Sequence, residues 1–319
     1  MRDEAAIGVD IGGTKIHFAV VDNNGQIRCQ DIVPTRGERG AKAVMDTVAS
    51  GIARMLEGHG RLAEPPPIAG IGIGSAGQIH YRSGEVAHAL DGIPGWIGTP
   101  IKRLVEERFP YPVYLDNDVN VIGIAEKQFG KGRTLEHFIC LALGTGVGGA
   151  IVQSGRLLRG VYGGAGELGH ISVDFNGPRC PCGNFGCLEL YASGTGIARM
   201  ARERSSSLEG TVRDIDSRGV MAAWHQGEQW AEEIMDIAIR ALSAGISGMI
   251  HTFNPQAVFI GGGVASSGDR LMNRVSEHVR KTTASAMWKE VELLPASMGA
   301  GSGVIGAAAQ GWFYSMPRE

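Results

Sequence analysis

Asp118 stands between Asn117 and Asn120 at what reads as the end of a strand. A carboxylate so placed can accept a proton from a hydroxyl while that oxygen attacks a phosphoryl group. The competing use is a helix N-cap, which Asp or Asn anywhere in 116–118 would serve, and the two roles can be divided among the three residues. Upstream, DIGGTK sets Asp10 before Gly12, Gly13, Thr14 and Lys15. Glycines let backbone N–H groups approach phosphate oxygens, Thr14 adds a hydroxyl, and Asp10 could hold the water around Mg²⁺. A plain hairpin with a polar turn would look the same, but the Gly-Thr pair recurs at Gly144-Thr145, followed by Gly146, and favours phosphate. Gly144, Gly146 and Gly149 also satisfy GxGxxG after a strand. A Rossmann site needs a helix next, whereas Ala150-Ile151-Val152 runs on as strand, so dinucleotide binding is excluded. There is no GxxxxGK[ST], which excludes a P-loop.

His170, Cys180, Cys182 and Cys187 offer one imidazole and three thiolates, a set suited to tetrahedral Zn²⁺. Intervals of nine, one and four residues separate them, unlike finger-type pairs, and Gly177, Pro178, Pro181, Gly183 and Gly186 supply the turns. Three buried thiols and a core histidine are the bland reading. A deaminase zinc site would need Glu two residues after the histidine, where Ser172 stands. Four protein ligands close the site, so the metal is expected to be structural. Glu167 and Glu189 flank this loop and suit the hydroxyls of a polyol. Paired carboxylates would also fit glycoside hydrolysis, but that leaves the hairpins and the metal set unexplained.

The elements that must position these groups alternate. Strands are expected at 5–12, 15–21 and 27–33, then a helix over 40–58 and a buried strand at 68–74. Residues 75–99 read as loop. A short helix near 100–109, a strand at 112–115 and a helix at 120–129 follow. Beyond the strand at 138–143, GTGVGGAIVQSGRLL (144–158) repeats the design of GTKIHFAVVDNNGQI (13–27). Helices are expected at 193–204, 228–251, 268–286 and from about 303 to 314, with strands at 257–260 and 290–294. Two related α/β lobes with a cleft between them are the expectation.

Bulk properties agree. A chain of 319 residues exceeds what one core usually supports. A net charge of −3 gives no reason to expect nucleic acid or an anionic membrane. No apolar run suggests a membrane span. Five cysteines, three of them within eight residues, make poor disulfide arithmetic, so a reducing cytoplasm is expected.

Together these residues resemble the ROK family of sugar kinases and sugar-responsive repressors. DIGGTK, LDND (115–118), LGTGVGG, GELGH (166–170), the CxCxxxxC loop and IGGG (260–263) occur in family order across essentially the whole chain. The resemblance implies a duplicated actin/hexokinase-like (ribonuclease H-like) α/β fold. Its lobes would be 1–117 and 118–302, the latter with a zinc loop at 170–187, and a final helix at about 303–319 would return to the first lobe. It implies an ATP-dependent hexose 6-kinase with Mg²⁺ and structural Zn²⁺. Asp118 would be the base. Asn117, Glu167, His170 and Glu189 would hold the other hydroxyls, with Gly77 lining the sugar pocket. Gly12, Gly13, Thr14, Thr145 and Gly146 would face the phosphates, and Gly261, Gly262 and Gly263 the nucleoside. A homodimer or tetramer is implied. The family's repressors carry an N-terminal helix-turn-helix, for which DIGGT at residue 10 leaves no room, so no nucleic-acid partner is expected. Glucose is the expected substrate, with N-acetylmannosamine or N-acetylglucosamine as the alternative. Gln78, Leu90 and Asp91 stand where the subgroups differ, and they match neither pattern fully.

Overall fold

A strand that buries both faces needs cover on each side, and Ala5–Ile11 is such a strand, with only Asp10 partly exposed. The computed structural model describes residues 3–89, 92–205 and 215–315. Its first half runs β1 (Ala5–Ile11), β2 (Lys15–Asp22), β3 (Ile27–Pro34), α1 (Gly40–Gly60), β4 (Ile68–Ser75), β5 (Gln78–His80), β6 (Glu85–His88), α2 (Ile101–Glu106), β7 (Val113–Asn117) and α3 (Asp118–Gln128). The second half runs β8 (Phe138–Leu143), β9 (Val147–Gln153), β10 (Arg156–Leu157), α4 (Glu189–Ala192), α5 (Gly194–Ser205), α6 (Ser217–His225), α7 (Gln229–Phe253), β11 (Ala257–Gly261), α8 (Asp269–Thr282), α9 (Ser285–Trp288), β12 (Glu292–Pro295) and α10 (Ser302–Ser315).

Two compact units result. The first comprises Met1–Leu135, Gly155–Ala165 and Ser297–Glu319; the second comprises Glu136–Ser154 and Gly166–Ala296. The division differs from the one expected at 117/118. Residues 118–135 stay with the first unit because α3 packs on α10, which also covers β1 and β4.

In the first unit the sheet order is β3-β2-β1-β4-β7. β1, β2 and β3 are antiparallel neighbours, while β4 and β7 run parallel to β1. In the second unit β9 pairs antiparallel with β8, β11 runs parallel to β8, and β12 runs parallel to β11. The orders β2-β1-β4-β7 and β9-β8-β11-β12 therefore repeat one design, which is the physical content of the Gly-Thr hairpin repeat.

The close seating of α10 depends on glycine strands. A Cβ at Gly72 would stand 1.7 Å from the Ala307 carbonyl oxygen, and one at Gly8 would stand 2.1 Å from that of Val304. Both obstacles are backbone, so neither can swing aside. Gly72→Ala is expected to lower stability by about 3 kcal/mol through overpacking. Gly58→Ala, where nothing outside the local helix backbone lies within 4 Å of the new carbon, should leave stability unchanged or raise it by up to about 1 kcal/mol. Equal urea midpoints for Gly72→Ala and wild type would remove this account of the interface.

The second unit is built on α7, whose buried residues include Ile234, Ile239, Leu242 and Ile246. Among the described residues α7 alone is long and apolar enough to cross a membrane, a property the sequence reading did not credit to it. Here it packs on α8 and α4 as the core helix.

Candidate active site

The turn from β7 into α3 presents the first group of site residues. Asn117 is the N-cap, with φ −64° and ψ 151°, and its Oδ1 accepts from the N–H groups of Val119 (2.8 Å) and Asn120 (3.1 Å). The cap thus falls to Asn117, which frees Asp118 for chemistry. Asn117 Nδ2 donates to Asp118 Oδ1 at 2.8 Å and to the Gly77 carbonyl at 3.0 Å, and Val119 N–H also donates to Asp118 Oδ1. These bonds bring Gly77 and Asp118 to one place. Burial, and then the neighbouring Asp10 carboxylate, push Asp118 up to about 7, against the pull of the Val119 and Asn117 hydrogen bonds. Asp10 is itself raised by burial, opposed by His17 and Lys15. A carboxyl poised near neutrality is suited to general base work.

Asp116 supports this turn. Its Oδ1 accepts from Asn117 N–H at 2.9 Å and Asn120 Nδ2 at 2.7 Å. Its Oδ2 accepts from Tyr314 Oη at 3.0 Å and pairs with Arg159. The Arg159 guanidinium lies 4.9 Å from the Tyr314 ring centroid and 5.3 Å from that of Tyr81. Asp116, Arg159 and Tyr314 were absent from the expected site, because nothing in local sequence links residues so far apart.

The DIGGTK turn closes by Gly12 N–H to the Lys15 carbonyl at 3.0 Å, and Thr35 Oγ1 donates to the Gly12 carbonyl at 2.7 Å. Gly13, Thr14 and Lys15 are exposed. Beyond the glycine and its two chain neighbours, no protein atom lies within 4 Å of a Cβ built on Gly13, Gly144 or Gly263. Internal packing therefore does not demand glycine at these three positions, whereas close approach of a ligand would. Gly262 differs: its φ of +93° and the Leu143 carbonyl 2.5 Å from a Cβ require glycine. Gly261 ends β11 beside Ala296.

In the second unit a cavity of about 470 Å³ is lined by Gly144, Thr145, Gly194, Thr195, Arg202, Asp216, Ser217, Arg218 and Gly263. It joins the Gly-Thr-Gly turn and the glycines after β11 with the first turns of α5 and α6. The first N–H groups of α5 are already taken, Gly194 and Thr195 donating to the Gly144 and Thr145 carbonyls and Gly196 to Ser193 Oγ, so α5 gives the cavity a wall and a brace for the turn and offers no anion-binding helix start. The α5 contribution was missed, although a second Gly-Thr-Gly at 194–196 signals it. Helix α6 and its cap, Asp216 Oδ1 accepting from Gly219 N–H at 2.9 Å, carried no comparable motif.

Glu167, His170 and Glu189 also lie in this unit. Glu167 precedes a 3-10 turn at Leu168–His170, and its Oε2 is 4.0 Å from His170 Nε2. Glu189 opens α4, and its Oε2 accepts from Val147 N–H at 3.0 Å. The metal-ligand candidates converge: the available donor atoms of His170, Cys180, Cys182 and Cys187 all lie within 4.8 Å of one another. Cys180 Sγ is 3.6 Å from His170 Nδ1, and Cys182 Sγ is 3.6 Å from Cys187 Sγ. Tetrahedral zinc with bonds of about 2.0–2.3 Å needs ligand separations of roughly 3.5–3.8 Å; the Cys180–His170 and Cys182–Cys187 pairs meet it, and the 4.8 Å limit keeps all four donors around one point. Facing Cys180 with Nδ1 leaves His170 with Nε2 towards Glu167. Gln78 Oε1 accepts from Tyr162 Oη at 2.8 Å; Leu90 and Asp91 lie outside the described residues.

The ROK family pattern matches residues 6–310. This chain belongs to the ROK family. A glucokinase from Halalkalibacterium halodurans is 35% identical over 324 residues, covering 98% of this ROK chain and 95% of that protein. The crystal structure of a ROK hexokinase from Thermus thermophilus superposes with a TM-score of 0.84 at 32% identity, covering 97% of this chain and 98% of that one. A ROK family glucokinase from Streptomyces griseus, in complex with glucose and AMPPNP, gives 0.81 at 33% identity over 95% of this chain and 98% of that one. The fold of this ROK protein is accordingly the duplicated actin/hexokinase-like α/β fold, each copy built on one of the two five-stranded sheets.

Proposed function

We propose that this ROK protein is an ATP-dependent hexose kinase acting on the 6-hydroxyl of glucose. The observation that carries the reading is Asp118, relieved of capping by Asn117 and raised to about 7. The relatives at comparable length support the sugar and the donor, since one is a glucokinase and one holds glucose with AMPPNP. In the proposed step Asp118 accepts the proton of the 6-hydroxyl as that oxygen bonds to the γ-phosphorus. The bond from the γ-phosphorus to the bridging oxygen breaks, and ADP departs with that electron pair.

Asn117, Glu167, His170 and Glu189 hold the remaining hydroxyls, and the Gly77 loop, fixed by Asn117, lines the sugar. Gly12, Gly13, Thr14, Lys15, Thr145 and Gly146 line the phosphates, Gly12 by shaping the turn, since its own N–H donates to the Lys15 carbonyl. Gly261, Gly262, Gly263 and the cavity over Gly144 and Thr195 take the nucleoside. Mg²⁺ bound with the nucleotide would supply charge neutralisation, with Asp10 ordering its water shell. Zn²⁺ held by His170, Cys180, Cys182 and Cys187 would be structural. A cytoplasmic homodimer or tetramer completes the proposal.

A coupled assay with ATP over glucose, mannose, N-acetylglucosamine and N-acetylmannosamine tests it. Glucose should give the highest kcat/KM, by tenfold or more over either N-acetyl sugar. Preference for an N-acetyl sugar would reassign the substrate, and turnover of none would leave a sugar-binding protein without kinase activity.

A further inference from the structure

Glu189 spends one of its two oxygens inside the protein. Its Oε2 accepts from Val147 N–H at 3.0 Å, at the foot of the Gly144-Thr145-Gly146 turn. A Cβ on Gly146 would stand 2.3 Å from that same oxygen, and Gly146 carries no left-handed φ to explain its glycine. The glycine therefore makes room for the carboxylate. Just beyond Glu189 the chain binds the turn twice more, Gly194 N–H donating to the Gly144 carbonyl at 2.8 Å and Thr195 N–H to that of Thr145 at 3.3 Å. The segment 189–195 thus grips the phosphate turn at three points, and Gly194 and Thr195 line the 470 Å³ cavity.

We infer that Glu189 couples the two substrates. Resting on the kinase reading above, the inference is that one carboxylate oxygen takes a sugar hydroxyl while the other holds the phosphate turn. A hydroxyl bound to the free oxygen fixes the side chain, so the turn is already ordered when the nucleotide arrives. Ordering shared by two ligands makes each bind more tightly in the presence of the other, with no change of shape required. The effect must be reciprocal.

The test measures the Kd of AMPPNP with and without saturating glucose, and of glucose with and without saturating AMPPNP, by calorimetry on the full chain. Wild type should show about tenfold coupling, equal in both directions. Glu189→Gln keeps a carbonyl for Val147 N–H but replaces the second acceptor with an amide, and coupling should fall to within about twofold of unity. Gly146→Ala displaces the carboxylate from the other side. It should weaken glucose binding several-fold even with no nucleotide present, although residue 146 belongs to the phosphate turn. That cross-effect is one that simple damage to a phosphate loop would not produce. Wild-type coupling of unity, full coupling in Glu189→Gln, or an unaltered glucose Kd in Gly146→Ala overturns the inference. If wild type phosphorylates glucose while coupling is absent, the kinase reading survives and only this inference falls. If wild type neither binds nor phosphorylates glucose, both fall.

Discussion

Asp118→Asn is expected to lower kcat about 10³-fold while changing the glucose Kd only a few-fold, because it removes the proton acceptor and keeps the shape. Wild-type kcat/KM should fall about tenfold per unit of pH below roughly 7, as the raised Asp118 carboxyl takes up its proton. The residual rate of the variant should lack that limb. Stability should move the other way. The folded-state value lies above the ordinary 3.8, so the folded protein binds this proton more tightly than the unfolded chain does. Stability is then lost as pH rises from about 3.8 to about 7, and above that the fold carries the whole penalty of an ionised, desolvated carboxylate beside Asp10. At about 1.4 kcal/mol per unit, that penalty is on the order of 2–4 kcal/mol. Asp118→Asn removes it, so the variant should melt above wild type at pH 8 and level with it near pH 4. A variant that keeps its turnover to within tenfold, or that melts lower at pH 8, would sink the assignment of Asp118 as the base.

Much of this arrangement was legible in the sequence, for a physical reason. Hairpins that present bare backbone to a ligand need glycine and a hydroxyl at fixed offsets, so the two copies betray each other at residues 13–27 and 144–158. Metal ligands are restricted to a few residue types, so His170 and the three cysteines stand out even at an unusual spacing. What could not be read was everything that depends on which distant groups meet. Capping in 116–118 was open until the Asn117 dihedral angles and hydrogen bonds settled it. Arg159 lies 43 residues from Asp116, and Tyr314 lies 198 residues from it. The short hairpin of β5 and β6 was hidden in a glycine-punctuated stretch, where Gln78 and Ile79 pair with His88 and Val86. The return of the last helix to the first lobe was legible, but the unit boundary escaped, because α3 follows the Asn117 strand end yet packs on α10 and so stays with the first unit.

Loss of the metal set is the second large effect expected. The loop from His170 to Cys187 has little core of its own. Phe175 is 85% exposed, Phe185 is 49% exposed, and the β pairings here are the isolated bridges Ser172–Cys187 and Arg179–Phe185. Its order must come from cross-links, of which the Tyr191 hydroxyl to Asp174 at 3.0 Å is one and a four-ligand zinc would be the dominant one. Structural zinc contributes on the order of 10 kcal/mol to small metal-organised folds. Cys187→Ala, which removes a buried ligand, should therefore disorder the loop, lower the melting temperature and abolish stoichiometric zinc. Activity should be lost chiefly through glucose binding, with kcat/KM down about 10²-fold, because Glu167, His170 and Glu189 are positioned by this loop. The pH limb near 7 should survive in whatever activity is left, since Asp118 is held by Asn117 and Asp116 in the other unit. Metal analysis of wild type purified without added zinc should give one Zn²⁺ per chain, and chelation followed by zinc addition should remove and restore glucose binding together. Full activity in metal-free protein would show that hydrogen bonds such as Tyr191–Asp174 suffice to hold the loop, and that His170 faces Cys180 for packing alone.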